Sequence, residues 1–270
     1  MRVAVVGHVE WVEFARVERV PSPGEIVHAR ETWAEAAGGG AVAAVQLARL
    51  AGGATLFTAL GGDELGHAAR DQLAALGVQV EVAWRTEPQR RAFTFLDDAG
   101  ERTITLLSRK LIARRSDPLP WDALAGMDAV YFTGGDADAL RSARSARVLV
   151  ATARELETIA QAGVHLDALV RSAGDAGERY EPGDLDPAPA LVVATRASEE
   201  GDYLLAGGRK GRFEAPVRSS PVVDAYGAGD SFAAGLTFAL GERRPLEESL
   251  RLASLQGAEA LGRRGAHGVG

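Results

Sequence analysis

A short apolar stretch, Pro221-Val222-Val223, runs into Asp224-Ala225-Tyr226-Gly227-Ala228-Gly229-Asp230, and this run constrains the chain more than any other. The next ten residues, Ser231 to Leu240, are apolar or small at almost every position and read as a buried helix closed by Gly241. Three small residues, Gly227, Ala228 and Gly229, therefore sit where a strand turns into a helix. The first N–H groups of a helix have no partner inside it, and small side chains let an anion approach them. The run is thus an anion site by construction. Asp230 is the exception within it, because a carboxylate beside a phosphate cradle repels the ligand unless it has a task. Taking a proton from an attacking hydroxyl is such a task; capping the helix is the plainer alternative. The residues alone leave both open.

A second glycine run, Gly38-Gly39-Gly40, opens the apolar stretch Ala41 to Leu50, and Thr55 to Leu60 then leads to Gly61-Gly62-Asp63. Either glycine run alone would be explained by a tight turn or by close packing. Bulk properties narrow the class further. At 270 residues the chain can bury one large core. With no cysteine it has neither disulfides nor thiolate metal sites. A net charge of −7 disfavours nucleic acid as a partner. No apolar run is long enough to span a bilayer, and the first residues enter a strand without a signal-peptide layout, so the expectation is a cytoplasmic protein with no membrane partner.

Strand-like runs alternate with helical patterns after residue 50, the signature of parallel βαβ units. Strands are predicted over Arg2–Gly7, Ala54–Ala59, Ala129–Phe132, Val148–Val150, Ala168–Val170 and Leu191–Ala194. Helices are predicted over His67–Leu76, Ala137–Arg144, Ala153–Ala162 and Leu246–Leu261. Residues 172–190 are rich in Gly, Pro, Asp and Glu and read as a loop. Two segments, 9–34 and 83–107, break the rhythm with period-two patterns such as Phe93-Thr94-Phe95-Leu96, and read as antiparallel strands outside the parallel sheet. Nothing in the composition marks a linker, so 1–270 is expected to be a single domain.

The Asp224–Asp230 run resembles the signature of the ribokinase-like (PfkB) carbohydrate kinases, with Ala225 where that family usually has Thr. The Gly38–Leu50 and Thr55–Gly66 stretches are similar to the same family's N-terminal glycine motif and the strand and turn after it. Val42 stands in place of the usual Asn. The resemblance implies a ribokinase-like α/β fold of three layers: a mainly parallel sheet with helices on both faces, and a small β lid drawn from 9–34 and 83–107. It implies transfer of a phosphoryl group from ATP, with Mg²⁺ and in many members a monovalent cation such as K⁺, to a hydroxyl of a sugar or sugar-like molecule. Asp230 would be the catalytic base, and the amides of Gly227, Ala228 and Gly229 the anion hole. Gly39 and Gly40 would approach the sugar. The lid would often also be a homodimer contact, with a decorated sheet edge as the alternative.

Weaker matches extend the resemblance. The family's Asn-x-x-Glu for the metal falls near Ser172 and Asp175, neither of matching type, with Glu178 three residues further on. Asp175 and Glu178 are metal candidates or two solvated loop acids. Thr195 and Gly201 loosely resemble the nucleotide turn, with Ala197 replacing a Gly. Gln256 stands where an Asn often contacts the nucleotide. Asp224 and the turn 262–266 resemble the border of the monovalent-cation site. Glu10 is the acid nearest the place of the family's substrate carboxylate, either a ligand for sugar hydroxyls or an exposed acid on a lid strand. His8 alone reads as a satisfied turn residue; Trp11 and Trp33 would wall the pocket or pack the lid. Nucleoside or vitamin-precursor kinases of the same superfamily, and a kinase-like binding protein without turnover, are the rival readings.

Overall fold

The first strand shows how the molecule is layered. In β1 (Val3–Val6) the side chains of Val3 and Val5 enter one apolar cluster, while Ala4 and Val6 enter another. The same alternation holds in β8 (Ala129–Phe132) and β9 (Val148–Thr152). Strands buried on both faces are continuous hydrophobic runs, which is why these were legible as parallel strands. The computed structural model describes residues 1–196, 200–216 and 221–268. Within them, nine strands form one sheet in the order β13-β12-β11-β10-β9-β8-β1-β4-β5.

The remaining members of that sheet are β4 (Ala54–Gly61), β5 (Val78–Arg85), β10 (Ala168–Ser172), β11 (Leu191–Thr195), β12 (Gly201–Leu205) and β13 (Lys210–Phe213). All pair in parallel except β11–β12 and β12–β13. One face is covered by α1 (Gly39–Ala51), α2 (Glu64–Ala75), α5 (Ala228–Gly241) and α6 (Leu246–Ala260). The other carries α3 (Ala137–Ala143), α4 (Leu156–Ala162) and the short 3₁₀ segment Trp121–Gly126. A second sheet of four strands has the order β3-β2-β6-β7, built from β2 (Glu10–Arg16), β3 (Glu31–Ala37), β6 (Arg91–Leu96) and β7 (Arg102–Leu106).

Several sequence expectations need correction. The segment 83–107 is not one unit: its first residues end β5, the outer parallel strand of the large sheet. Within the small sheet β2 and β6 pair in parallel, not antiparallel. The helix expected from His67 begins at Glu64, because Asp63 caps it by accepting from the Gly66 N–H at 3.0 Å. The helix expected over Ala153–Ala162 is divided into a 3₁₀ turn, Ala153–Glu155, and α4.

Gln89 fixes the small sheet to the large one. Its Oε1 accepts from the Gly61 N–H at 3.0 Å and its Nε2 donates to the Val9 carbonyl at 2.9 Å. Its own N–H donates to Asp63 Oδ2 at 3.0 Å. One buried residue thus joins the end of β4, the start of α2 and the approach to β2, the first and last through its side-chain amide. Gln89→Ala leaves a buried N–H and a buried C=O without partners, and should cost about 2–3 kcal/mol. Urea denaturation measures this; unchanged stability would show that water replaces the amide.

Candidate active site

Both glycine motifs open helices, and the two openings meet. Gly227 is the N-cap of α5 and holds φ at 73°, a left-handed conformation that favours glycine. Space demands glycine there too, since a Cβ would lie 2.9 Å from Val42 Cγ1. Gly38 is the N-cap of α1 with φ 86°. Its N–H donates to the Tyr226 hydroxyl at 3.1 Å, which ties the first motif directly to the second. Tyr226 is itself buried edge-on against Phe14, whose ring stacks on Trp33 at 4.8 Å. Trp33 therefore packs the small sheet, with the Arg264 guanidinium 4.1 Å above its ring. Trp11 packs against the core of the large sheet.

Asp230 points into this junction from the first turn of α5. A Cβ on Gly39 would stand 2.9 Å from Asp230 Oδ1 and 2.9 Å from Thr133 Oγ1, so glycine is what lets the carboxylate in. Gly229 is exposed with open space where its Cβ would be, leaving its backbone free to a ligand. Asp230 is half-buried, and desolvation pushes its carboxyl up to about 6. The negative charge of Glu178 adds to the rise, while Arg102 and Arg154 oppose it. A capping carboxylate at a helix N-terminus is ordinarily stabilised as the anion; here burial outweighs that effect.

The other expected residues divide. Glu10 is buried, with Oε1 2.9 Å from Arg90 Nε and 3.6 Å from His8 Nε2, so it is not an exposed lid acid. Desolvation raises its carboxyl, and Arg90 and Lys110 pull it back. His8 places Nδ1 3.1 Å from the Thr133 carbonyl, which can only accept, so the proton sits on Nδ1. Burial, Lys110 and Arg90 hold its pKa well below the usual value, keeping the ring neutral. Gly40 is a packing glycine: a Cβ would meet the His8 carbonyl at 2.6 Å. Thr195 ends β11 with its hydroxyl 3.4 Å from the Arg171 carbonyl. Gly201 is explained by Phe213, whose ring would lie 2.0 Å from a Cβ. Ala197 lies outside the described residues.

Gln256 is not brought to the site. It is buried between helices, accepting from Gln46, whose Oε1 in turn accepts from Arg263 Nη1 at 2.8 Å. Asp224 is a clasp: Oδ1 accepts from the Tyr226 N–H at 2.8 Å and Oδ2 from the Gly265 N–H at 2.9 Å. It fastens the C-terminal turn to the anion loop. Val42 is buried beneath Gly227 in the core of the small sheet. Where the family's Asn would reach a ligand, this chain has packing.

Asp175 and Glu178 share Arg154, and each also accepts a backbone N–H, Asp175 from Gly177 and Glu178 from Ser172. Among the described residues no group of three or more His, Cys, Asp or Glu side chains could hold a metal. Of the two acids that raise Asp230, Glu178 acts more strongly than Glu10. Thr133, Arg90, Arg102 and Arg154 were missed in the sequence because no local pattern marks a residue brought in from another element. A cavity of about 670 Å³ over β10–β13, lined by Arg171, Tyr180, Asp202 and Lys210 among others, contains none of the groups around Asp230.

Two glycine-opened helices with a perturbed acid at their junction can bind an anion and move a proton beside it. The family model described as pfkB family carbohydrate kinase matches residues 1–181 and 185–268. The chain belongs to that family. It is accordingly a phosphotransferase acting on a carbohydrate alcohol, with the ribokinase-like fold. An ATP-dependent ribose-1-phosphate kinase of Halopiger xanaduensis is 28% identical over 98% of this chain and 94% of its own. Among solved structures, Thermotoga maritima ribokinase superposes with TM-score 0.79 at 20% identity, covering 98% of this chain and 94% of its own. Sinorhizobium meliloti adenosine kinase gives 0.77 at 22%, covering 97% and 94%.

The raised carboxyl of Asp230 has a thermodynamic signature. Its folded value of about 6 exceeds the ordinary 3.8, so ionisation opposes folding above about pH 6 and has no effect below about pH 4. Asp230→Asn should therefore be more stable than the parent near pH 8, by up to about 3 kcal/mol, with the gain gone near pH 3.5. Denaturant unfolding at the two pH values measures it; a variant less stable at pH 8 would mark Asp230 as a structural cap.

Proposed function

We propose that the chain transfers the γ-phosphoryl group of ATP to a hydroxyl of a sugar or sugar-like molecule, with Asp230 as general base. The observation that carries this reading is the contact of Asp230 with Gly39, which sets a perturbed carboxylate between an anion cradle and a glycine surface where an alcohol can lie. The acceptor oxygen attacks the γ-phosphorus and its proton passes to Asp230. The bond from phosphorus to the bridging oxygen breaks, and ADP departs with that electron pair. The amides of residues 227–229 face the phosphoryl oxygens, preorganised because Gly227 and Asp224 fix the loop. Glu10 and the backbone at Gly39 orient the acceptor. Mg²⁺ with the nucleotide would neutralise phosphate charge, and Glu178 would hold a water of its shell.

The small sheet acts as a lid. Its strand β7 reaches the cradle, Arg102 Nη1 donating to the Ala225 carbonyl at 2.7 Å. Closure over the acceptor would exclude water, the competing nucleophile. The outer strand β7 is exposed throughout, with Ile104 and Leu106 41% and 55% exposed. An open strand edge with apolar side chains invites pairing, and we propose that a second copy of this chain covers it. A kinase-like binder without turnover fits less well, since an acid in the cradle weakens anion binding and serves only the reaction.

Asp230→Asn should lower kcat by roughly 10²–10⁴ with nucleotide affinity retained. In the parent, kcat/KM should fall tenfold per pH unit below about 6, as the base is protonated. Retained turnover in the variant, or a flat acid limb, would remove Asp230 from the chemistry. For the lid, sedimentation should find a dimer that Ile104→Lys with Leu106→Lys converts to monomer; a parent monomer at micromolar concentration would refute the contact.

A further inference from the structure

Arg90, beside the proposed acceptor site, is the group that neutral sugar chemistry does not explain. It lies between Gln89 and the start of β6, and its carbonyl accepts from the Trp11 N–H at 2.8 Å, so its backbone is held firmly. Its side chain is 7% exposed. Nε stands 2.9 Å from Glu10 Oε1, yet the N–H is not aimed at that oxygen, and this buried nitrogen makes no hydrogen bond. Among the described residues no acceptor hydrogen-bonds either terminal nitrogen. Unlike Nε, the terminal nitrogens are not sealed from the cleft, and a guanidinium in such a place normally spends its donors on a carboxylate or phosphate fork. Here the charge is opposed by one misaligned carboxylate and the fork is unspent.

The position of Arg90 fits a substrate subsite. Glu10 lies 2.9 Å from Arg90 on one side, and on the other a Cβ on Gly38 would stand 3.1 Å from its Cγ, so the pair adjoins the glycine opening that admits Asp230. His8 beside it is neutral and adds no charge. Lys110, paired to Glu155, acts on both His8 and Glu10 and strengthens the positive field on the Arg90 side. Neutral hydroxyls could accept from the guanidinium but would not balance it. We propose that the acceptor bears an anionic group, a phosphate monoester or a carboxylate, which docks on Arg90 while a hydroxyl elsewhere on the sugar faces Asp230. Arg90 is then the specificity-determining residue of the reaction. The proposal rests on the assignment of the chain as a sugar kinase with Asp230 as base.

The test is a panel of acceptors at saturating Mg-ATP: neutral pentoses and hexoses, their phosphate monoesters, and the matching sugar acids. At least one anionic acceptor should exceed its neutral parent in kcat/KM by about 100-fold, and the phosphate and acid arms separate the two anion sources. Arg90→Met should erase about 100-fold of that preference, mainly through KM, with Arg90→Lys intermediate because it keeps the charge and loses the fork. Titration with ATP confirms that each variant is folded. Should Arg90→Met leave Glu10 unpaired and the protein unfolded, Arg90→Lys, which keeps the charge beside Glu10 and loses the fork, should still lower the ratio of anionic to neutral kcat/KM. In the parent, inorganic phosphate should compete with the acceptor. A neutral sugar used as well as its anionic derivative, an Arg90→Met loss equal for both, or phosphate that does not compete with the acceptor would overturn the proposal. No turnover with any acceptor by a protein that binds ATP would instead refute the kinase assignment, and this inference with it.

Discussion

Everything at the site depends on the contact between two helix openings. The Gly38 N–H reaches the Tyr226 hydroxyl, and Gly39 leaves room for Asp230, so α1 and α5 can converge with a carboxylate in the gap. A side chain larger than hydrogen at Gly39 or Gly227 would force the openings apart. The surrounding structure serves that convergence. Asp224 clasps the C-terminal turn to the loop before α5, and Val42 fills the space beneath Gly227. The large sheet provides the rigid floor from which both helices start.

Charge is arranged around that junction with little surplus. Asp230 is held as a poised acid by desolvation, with Glu178 raising it and Arg102 and Arg154 restraining it. Arg154 is divided between Asp175 and Glu178, and Arg102 also holds the Ala225 carbonyl. The same side chains therefore act on the Asp230 carboxyl and position the loops around it.

The parts legible in the sequence were those written in contiguous residues. The Asp224–Asp230 run, the Gly38–Gly40 opening and the doubly buried strands carry their signal within a few positions. The features that escaped are non-local. Gly201 looked like a nucleotide glycine, but Phe213, from the next strand, explains it. Gln256 resembled a ligand contact, whereas Gln46 on α1 uses it. Arg90 carried no motif at all, since its meaning depends on a pocket formed by β2, the turn after β1 and the glycines before α1. β5 was merged with the lid because the large sheet's outer strand and the small sheet's strands share a period of two.

The central claim, that Asp230 takes the acceptor's proton, is tested most directly by a crystal structure of the protein with a non-hydrolysable ATP analogue and its acceptor. The account predicts one acceptor hydroxyl within about 2.6–3.2 Å of an Asp230 carboxylate oxygen, in line with the γ-phosphorus, and the γ-phosphate against the amides of residues 227–229. A nucleophilic hydroxyl facing another acid, with Asp230 turned back onto the amides of its own helix, would contradict it.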